Sequence, residues 1–98
     1  MSKFGELIDI SKPVLLDFFT DWSEMSKAMN PVLRDVAAAI GDKGKVIKIN
    51  VDKNEELANA LRVSGVPTLM IYKAGEMVWR QNGEQDANTL IALMNQYL

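Results

Sequence analysis

At 98 residues, 48% hydrophobic and 24% charged, the chain has the size and composition of a single globular domain spanning residues 1–98 around one core. Eleven basic residues against 13 acidic ones leave a net charge of −2, without the clustered Lys and Arg of a nucleic-acid surface, and no apolar run approaches the ~20 residues that span a bilayer. Cysteine and histidine are both absent, which excludes disulfides, thiolate nucleophiles, the commonest zinc ligands and the usual base at neutral pH, so no cofactor or metal is expected.

Met1 to Ile10 lacks a basic start followed by an apolar stretch, so no secretory leader is read and a cytoplasmic location is the default. A periplasmic protein shorn of its leader reads the same way. Ser2 is placed to cap a short helix whose apolar residues are Phe4, Leu7 and Ile8. Pro13 ends that segment. Val14 to Thr20 (V-L-L-D-F-F-T) is an apolar run broken only by Asp17, the pattern of a strand buried on both faces. From Met25 the period becomes helical: Met29, Val32, Leu33, Val36, Ala37 and Ile40 share a face, Pro31 predicts a kink, and Gly41 supplies the stop.

Val46 to Val51 alternates, with Ile47, Ile49 and Val51 on one face. A short helix is predicted around Glu55 to Leu61, capped by Asp52 or Asn54. Leu69 to Tyr72 and Met77 to Arg80 read as strands joined by a tight turn at Ala74-Gly75. Asp86 caps a last helix with a stripe of Leu90, Leu93, Met94 and Tyr97. The order α-β-α-β-α-β-β-α implies an α/β fold. A right-handed β-α-β unit pairs its strands in parallel and the closing hairpin adds an antiparallel strand, giving a mixed sheet with helices on both faces.

Five motifs stand in a fixed order: Pro13 to Trp22 (P-V-L-L-D-F-F-T-D-W), Trp22-Ser23-Glu24-Met25-Ser26-Lys27, Val66-Pro67-Thr68, Lys73-Ala74-Gly75-Glu76, and Gly83. Together they resemble the thioredoxin family over about Phe4 to Leu98. The second falls where that family has W-C-G-P-C-K. The resemblance implies the thioredoxin fold, and the short segment before Pro13 leaves room for four strands, without the family's extra first strand. It also implies protein thiol–disulfide exchange as the parent activity, protein disulfides as substrates, a thioredoxin reductase as partner, and a monomer.

On this resemblance Ser23 and Ser26 occupy the positions of the redox cysteines. Asp17 is the buried acid that relays a proton to the second thiol, and Lys48 is the lysine beside it. Trp22, Met25, Val66, Pro67 and Gly83 form the substrate-facing surface, with Pro67 after a cis bond. Each residue also has a plainer reading. Ser23 suits a helix cap and Ser26 an ordinary first-turn position. Trp22 suits a core, Asp17 a strand edge that reaches water, Lys48 a solvated strand position and Pro67 a simple turn. The chain departs from the family pattern at Glu24-Met25, at Phe19 and at Asn82, which puts substrate preference in question.

A serine hydroxyl forms no S–S bond, and no histidine is present to activate it, so the chain as written performs neither disulfide exchange nor serine hydrolysis. Two functions are compatible with that. One is a disulfide oxidoreductase whose cysteines were deliberately replaced by serine; the other is a natural non-redox module or chaperone subunit that binds extended peptides.

Overall fold

The computed structural model describes residues 3–98, so the Ser2 cap lies outside the described residues. The elements are α1 (Lys3–Ile8), β1 (Val14–Phe19), α2 (Glu24–Ile40), a 3-10 turn (Gly41–Lys43), β2 (Lys45–Asn50), α3 (Glu55–Ala60), β3 (Thr68–Lys73), β4 (Glu76–Asn82) and α4 (Ala87–Asn95). The four strands form one mixed sheet in the order β2-β1-β3-β4. β1 runs parallel to β2 and antiparallel to β3, and β3 and β4 form the closing hairpin. Among the described residues, no helix is long and apolar enough to cross a membrane.

The alternation of β1 divides its side chains between two layers. Leu15 faces α2 and α4, where it packs with Met29, Leu33, Val36, Ile40, Leu69, Ile71, Leu90 and Met94. Val14, Leu16 and Phe18 face the other way, toward Ile8, Ile49, Met70 and Tyr72, with Phe4 and Leu57 against them. Helices thus cover both faces, because a central strand that is apolar on both sides needs two covers. Each fully buried aliphatic or aromatic side chain contributes ~1.5–3 kcal/mol.

Local chemistry sets most boundaries. Asp86 Oδ1 accepts from Thr89 N–H at 2.7 Å and starts α4. Gly41, at φ 61°, ends α2, which runs on through Pro31. The hairpin turn places both Ala74 (φ 52°) and Gly75 (φ 84°) in the left-handed region, as a primed two-residue turn requires. α3 departs from expectation. Asn54 occupies the cap position, but its side chain donates to the Asn50 carbonyl at 2.8 Å instead of capping, and α3 has no side-chain cap. In α1, Leu7 is exposed, while Phe4 meets the Tyr72 ring edge-on at 5.6 Å.

Candidate functional site

Ser23 is the N-cap of α2. Its backbone is extended, and its Oγ accepts from Ser26 N–H at 3.2 Å. The reason is local: a short hydroxyl side chain in extended conformation reaches the unpaired amides of the first turn. Position 23 therefore sits at the positive end of a 17-residue helix dipole. Ser26, one turn on, points inward. It is 2% exposed, and its Oγ accepts a long hydrogen bond from Thr20 N–H at 3.4 Å.

Asp17 lies in mid-β1, on the same sheet face as Leu15 and hence on the side of α2. It is 0% exposed, and neither carboxylate oxygen has a hydrogen-bond partner. Burial pushes its pKa from 3.8 up to about 6, while the Lys48 ammonium pulls the other way. The strand-edge reading of Asp17 is thereby excluded. Lys48 is the register partner of Asp17 on β2. Its Nζ donates to Asn30 Oδ1 at 2.6 Å and lies 4.4 Å from the centre of the Phe19 ring. Ser26, Lys48, Asn30 and Thr20 line a cavity of about 290 Å³ on this side.

A second cleft, of about 380 Å³, opens on the other side of Ser23. Trp22 and Ser23 form one wall, and Val63 to Val66 form the facing one. Trp22 is 72% exposed, which rules out the core reading, and its indole N–H donates to Asp52 Oδ2 at 3.1 Å. The Val66–Pro67 peptide bond is cis. Pro67 is buried, and its carbonyl accepts from Gly83 N–H at 2.8 Å, with Gly83 at φ 89°. The structure thus brings Trp22, Ser23 and Val66 together around one cleft. Ser26 and Lys48 sit around its neighbour and Asp17 is sealed beneath the surface. Met25 is exposed on the first turn of α2 and lines neither space.

The sequence reading missed the site contacts of Asp52, Asn30 and Arg80, and it noted Asn82 only as a departure from the family pattern. Asp52 orients Trp22, and Asn30 holds Lys48. Asn82 accepts from Thr68 Oγ1 at 3.2 Å, beside the cis bond. Arg80 donates to the carbonyls of Leu61 and Arg62, fastening the segment that becomes the cleft wall. Of the three missed contacts, only that of Asn30 carried a signal, since it follows Ser26 by four residues on α2 and so shares its face.

The arrangement offers a helix N-terminus that would favour an anionic sulfur at position 23, a buried acid on the sheet face toward α2, the helix that carries position 26, and an exposed cleft. Comparison with known proteins points the same way. The thioredoxin family model matches residues 1–96. A thioredoxin of Bacillus subtilis is 39% identical over 85 residues, covering 87% of this chain and 82% of its own. One of Pyropia yezoensis is 37% identical over 93 residues, covering 95% and 87%. Thioredoxin Y, chloroplastic, of Oryza sativa subsp. japonica is 40% identical over 91 residues; these cover 92% of this chain but 54% of that protein, about half its length. Among solved structures, a mutant thioredoxin from Halobacterium salinarum superposes with a TM-score of 0.88 at 34% identity, covering 99% of this chain and 84% of that one. The chain belongs to the thioredoxin family of thiol–disulfide oxidoreductases and, having no cysteine, is itself not redox-active.

Proposed function

We propose that this chain is the redox-silent form of a thioredoxin-type protein-disulfide reductase, folded as one domain over residues 1–98, with serine substituted for both reactive cysteines and the substrate cleft retained. The observation that carries this reading is Asp17. A carboxyl that is 0% exposed and has no hydrogen-bond partner costs the fold stability. A module that had lost its redox task would have no reason to keep it. A pair of one-atom exchanges, sulfur to oxygen, beside an otherwise intact site favours deliberate replacement.

In the parent form a cysteine thiolate at position 23 attacks one sulfur of a substrate disulfide. A new S–S bond forms, and the other substrate sulfur leaves as a thiolate that takes a proton from water. The thiol at position 26 gives its proton to Asp17 and attacks the sulfur at position 23, releasing the first substrate sulfur. Two electrons have then passed from protein to substrate, and a thioredoxin reductase returns them. Lys48 holds the Asp17 proton affinity in check. Trp22, Met25, Val66, Pro67 and Gly83 receive the extended substrate segment. With serine at 23 and 26 the sequence of steps stops at non-covalent binding. We place the protein in the cytoplasm as a monomer.

The test is dithiothreitol-driven insulin reduction by this chain, by S23C/S26C and by S23C alone. The double variant is expected to accelerate reduction, the present chain to be inert, and S23C to accumulate mixed disulfides. A folded double variant that reduces insulin no faster than dithiothreitol overturns the reading. The exposed Trp22 beside a 380 Å³ cleft then favours a natural peptide-binding module.

A further inference from the structure

The cleft wall that carries Trp22 is held less by packing than by hydrogen bonds. Trp22 is 72% exposed, and its indole N–H donates to Asp52 Oδ2 at 3.1 Å. Asp52 lies just beyond β2, in the turn that leads to α3, and lines the same cleft together with Val51. The carboxamide of Asn50, the last residue of β2, organises that turn. Its Oδ1 accepts from the Asp52 N–H at 2.9 Å and the Lys53 N–H at 3.2 Å, and its carbonyl accepts from Asn54 Nδ2 at 2.8 Å. Two backbone donors at Oδ1 fix which way the amide points. Nδ2 is thereby turned toward Asp21, whose Oδ2 accepts from it at 3.2 Å.

Asp21 and Trp22 are neighbours in the loop between β1 and α2, whereas Asn50 and Asp52 flank the end of β2. Two cross-links therefore join these segments side by side, Asp21 to Asn50 and Trp22 to Asp52. One side chain serves both. Asn50 makes the first link and, through the Asp52 amide, presents the carboxylate of the second. Shaping the turn needs only Oδ1, and an aspartate would fill that role equally well. The donor at Nδ2 is what an aspartate lacks.

We propose that Asn50 is a positioning residue for substrate: by tying Asp21 to the turn that presents Asp52, it holds the Trp22 indole in place as a wall of the cleft. An exposed indole that is free to turn loses rotamer entropy when a substrate packs against it, and a wall already fixed has lost it beforehand. Losing the tie therefore weakens substrate affinity and spares the chemical step at position 23. Its bearing on turnover rests on the cleft being the substrate site proposed above.

Three variants separate the turn from the tie. Asn50→Asp keeps an acceptor for the Asp52 and Lys53 amides but sets a carboxylate against Asp21. Asp21→Ala removes the acceptor and leaves residues 50–54 untouched. These two move the net charge in opposite directions, so an effect they share is not one of charge. The exchange D21N/N50D keeps the composition and restores the tie with donor and acceptor reversed. In the ¹⁵N-labelled cysteine-free chain, the Trp22 indole N–H is expected to shift and to exchange with water roughly threefold faster or more in N50D and D21A. The Trp79 indole is expected to stay unchanged, and D21N/N50D to return Trp22 to its original state. With S23C/S26C added, KM for insulin is expected to rise about three- to tenfold in N50D and D21A, with kcat within about twofold, and the exchange to restore it. An unmoved Trp22 resonance and KM in N50D, a D21N/N50D chain that behaves like N50D, or a fall in kcat at constant KM overturns the proposal. If N50D fails to fold, D21A and the exchange decide. A double-cysteine chain inert toward insulin overturns the enzyme reading instead, and the indole resonances of the cysteine-free chain still decide whether Asn50 places Trp22.

Discussion

Asp17 and Lys48 are register partners across the parallel β1–β2 pair and share one face of the sheet, yet they form no ion pair. The ammonium is held by Asn30 Oδ1 at 2.6 Å, above the Phe19 ring. Lys48 therefore acts on Asp17 only through space, and its pull is outweighed by burial.

That imbalance makes stability depend on pH with a definite sign. Asp17 holds its proton to about 6 in the folded state against 3.8 as an ordinary carboxyl. Its cost is absent below 3.8, grows as pH rises, and is complete above about 6, where it amounts to roughly 3 kcal/mol. Asp17→Asn removes the titration. In urea unfolding, the stability of Asp17→Asn relative to the unaltered chain is expected to rise by about that amount between pH 4 and pH 8. A difference that stays flat with pH means the carboxylate is solvated.

Ser23 has a structural duty independent of any redox role, because its Oγ caps α2. Ser23→Ala is expected to destabilise the fold by ~0.5–2 kcal/mol, while Ser23→Asp, which also caps and suits the helix dipole, stays close to the unaltered chain. Chemical denaturation of the two variants makes the comparison. Equal losses would mean that the hydroxyl cap is not what holds the first turn.

Cysteines introduced singly would differ in reactivity. Position 23 is partly exposed at the helix N-terminus, whereas position 26 is 2% exposed. Thiolate formation is favoured at the first and suppressed by burial at the second. Alkylation of S23C by iodoacetamide at pH 7 is expected to be at least tenfold faster than that of S26C. Comparable rates would place the two side chains in similar surroundings, contrary to this geometry.

Arg80 fastens one wall of the cleft through the carbonyls of Leu61 and Arg62. Arg62 itself sits at φ 56°, a conformation that a non-glycine side chain disfavours. Arg80→Ala releases both carbonyls and is expected to cost ~1–3 kcal/mol. Hydrogen exchange is expected to quicken first at Val63 and nearby amides, since Val63 N–H depends on the Ala58 carbonyl just before the fastening. Uniform loss of protection across the sheet would instead mark a global effect.

The element order, the caps at Ser23 and Asp86 and the tight turn at Ala74-Gly75 were all legible in the chain. Each rests on interactions between residues at most four apart, or on a period that one segment carries by itself. The short helix α3 was legible but its cap was not, because Asn54 had a competing partner in the Asn50 carbonyl. All four strands were legible as well, each as an apolar or alternating run bounded by its own turn signals.

What only the tertiary structure decided is who meets whom around the site. Trp22 finds Asp52 thirty residues away, Lys48 finds Asn30 at eighteen, and Arg80 reaches back nineteen and eighteen residues to Leu61 and Arg62. The place of β2 at one end of the described sheet likewise emerges only from the strand order. No local periodicity encodes these meetings. They follow from how the elements pack on one another; for Lys48 the register of β1 against β2 decides, since a shift of one residue would turn it to the sheet face away from Asn30 of α2.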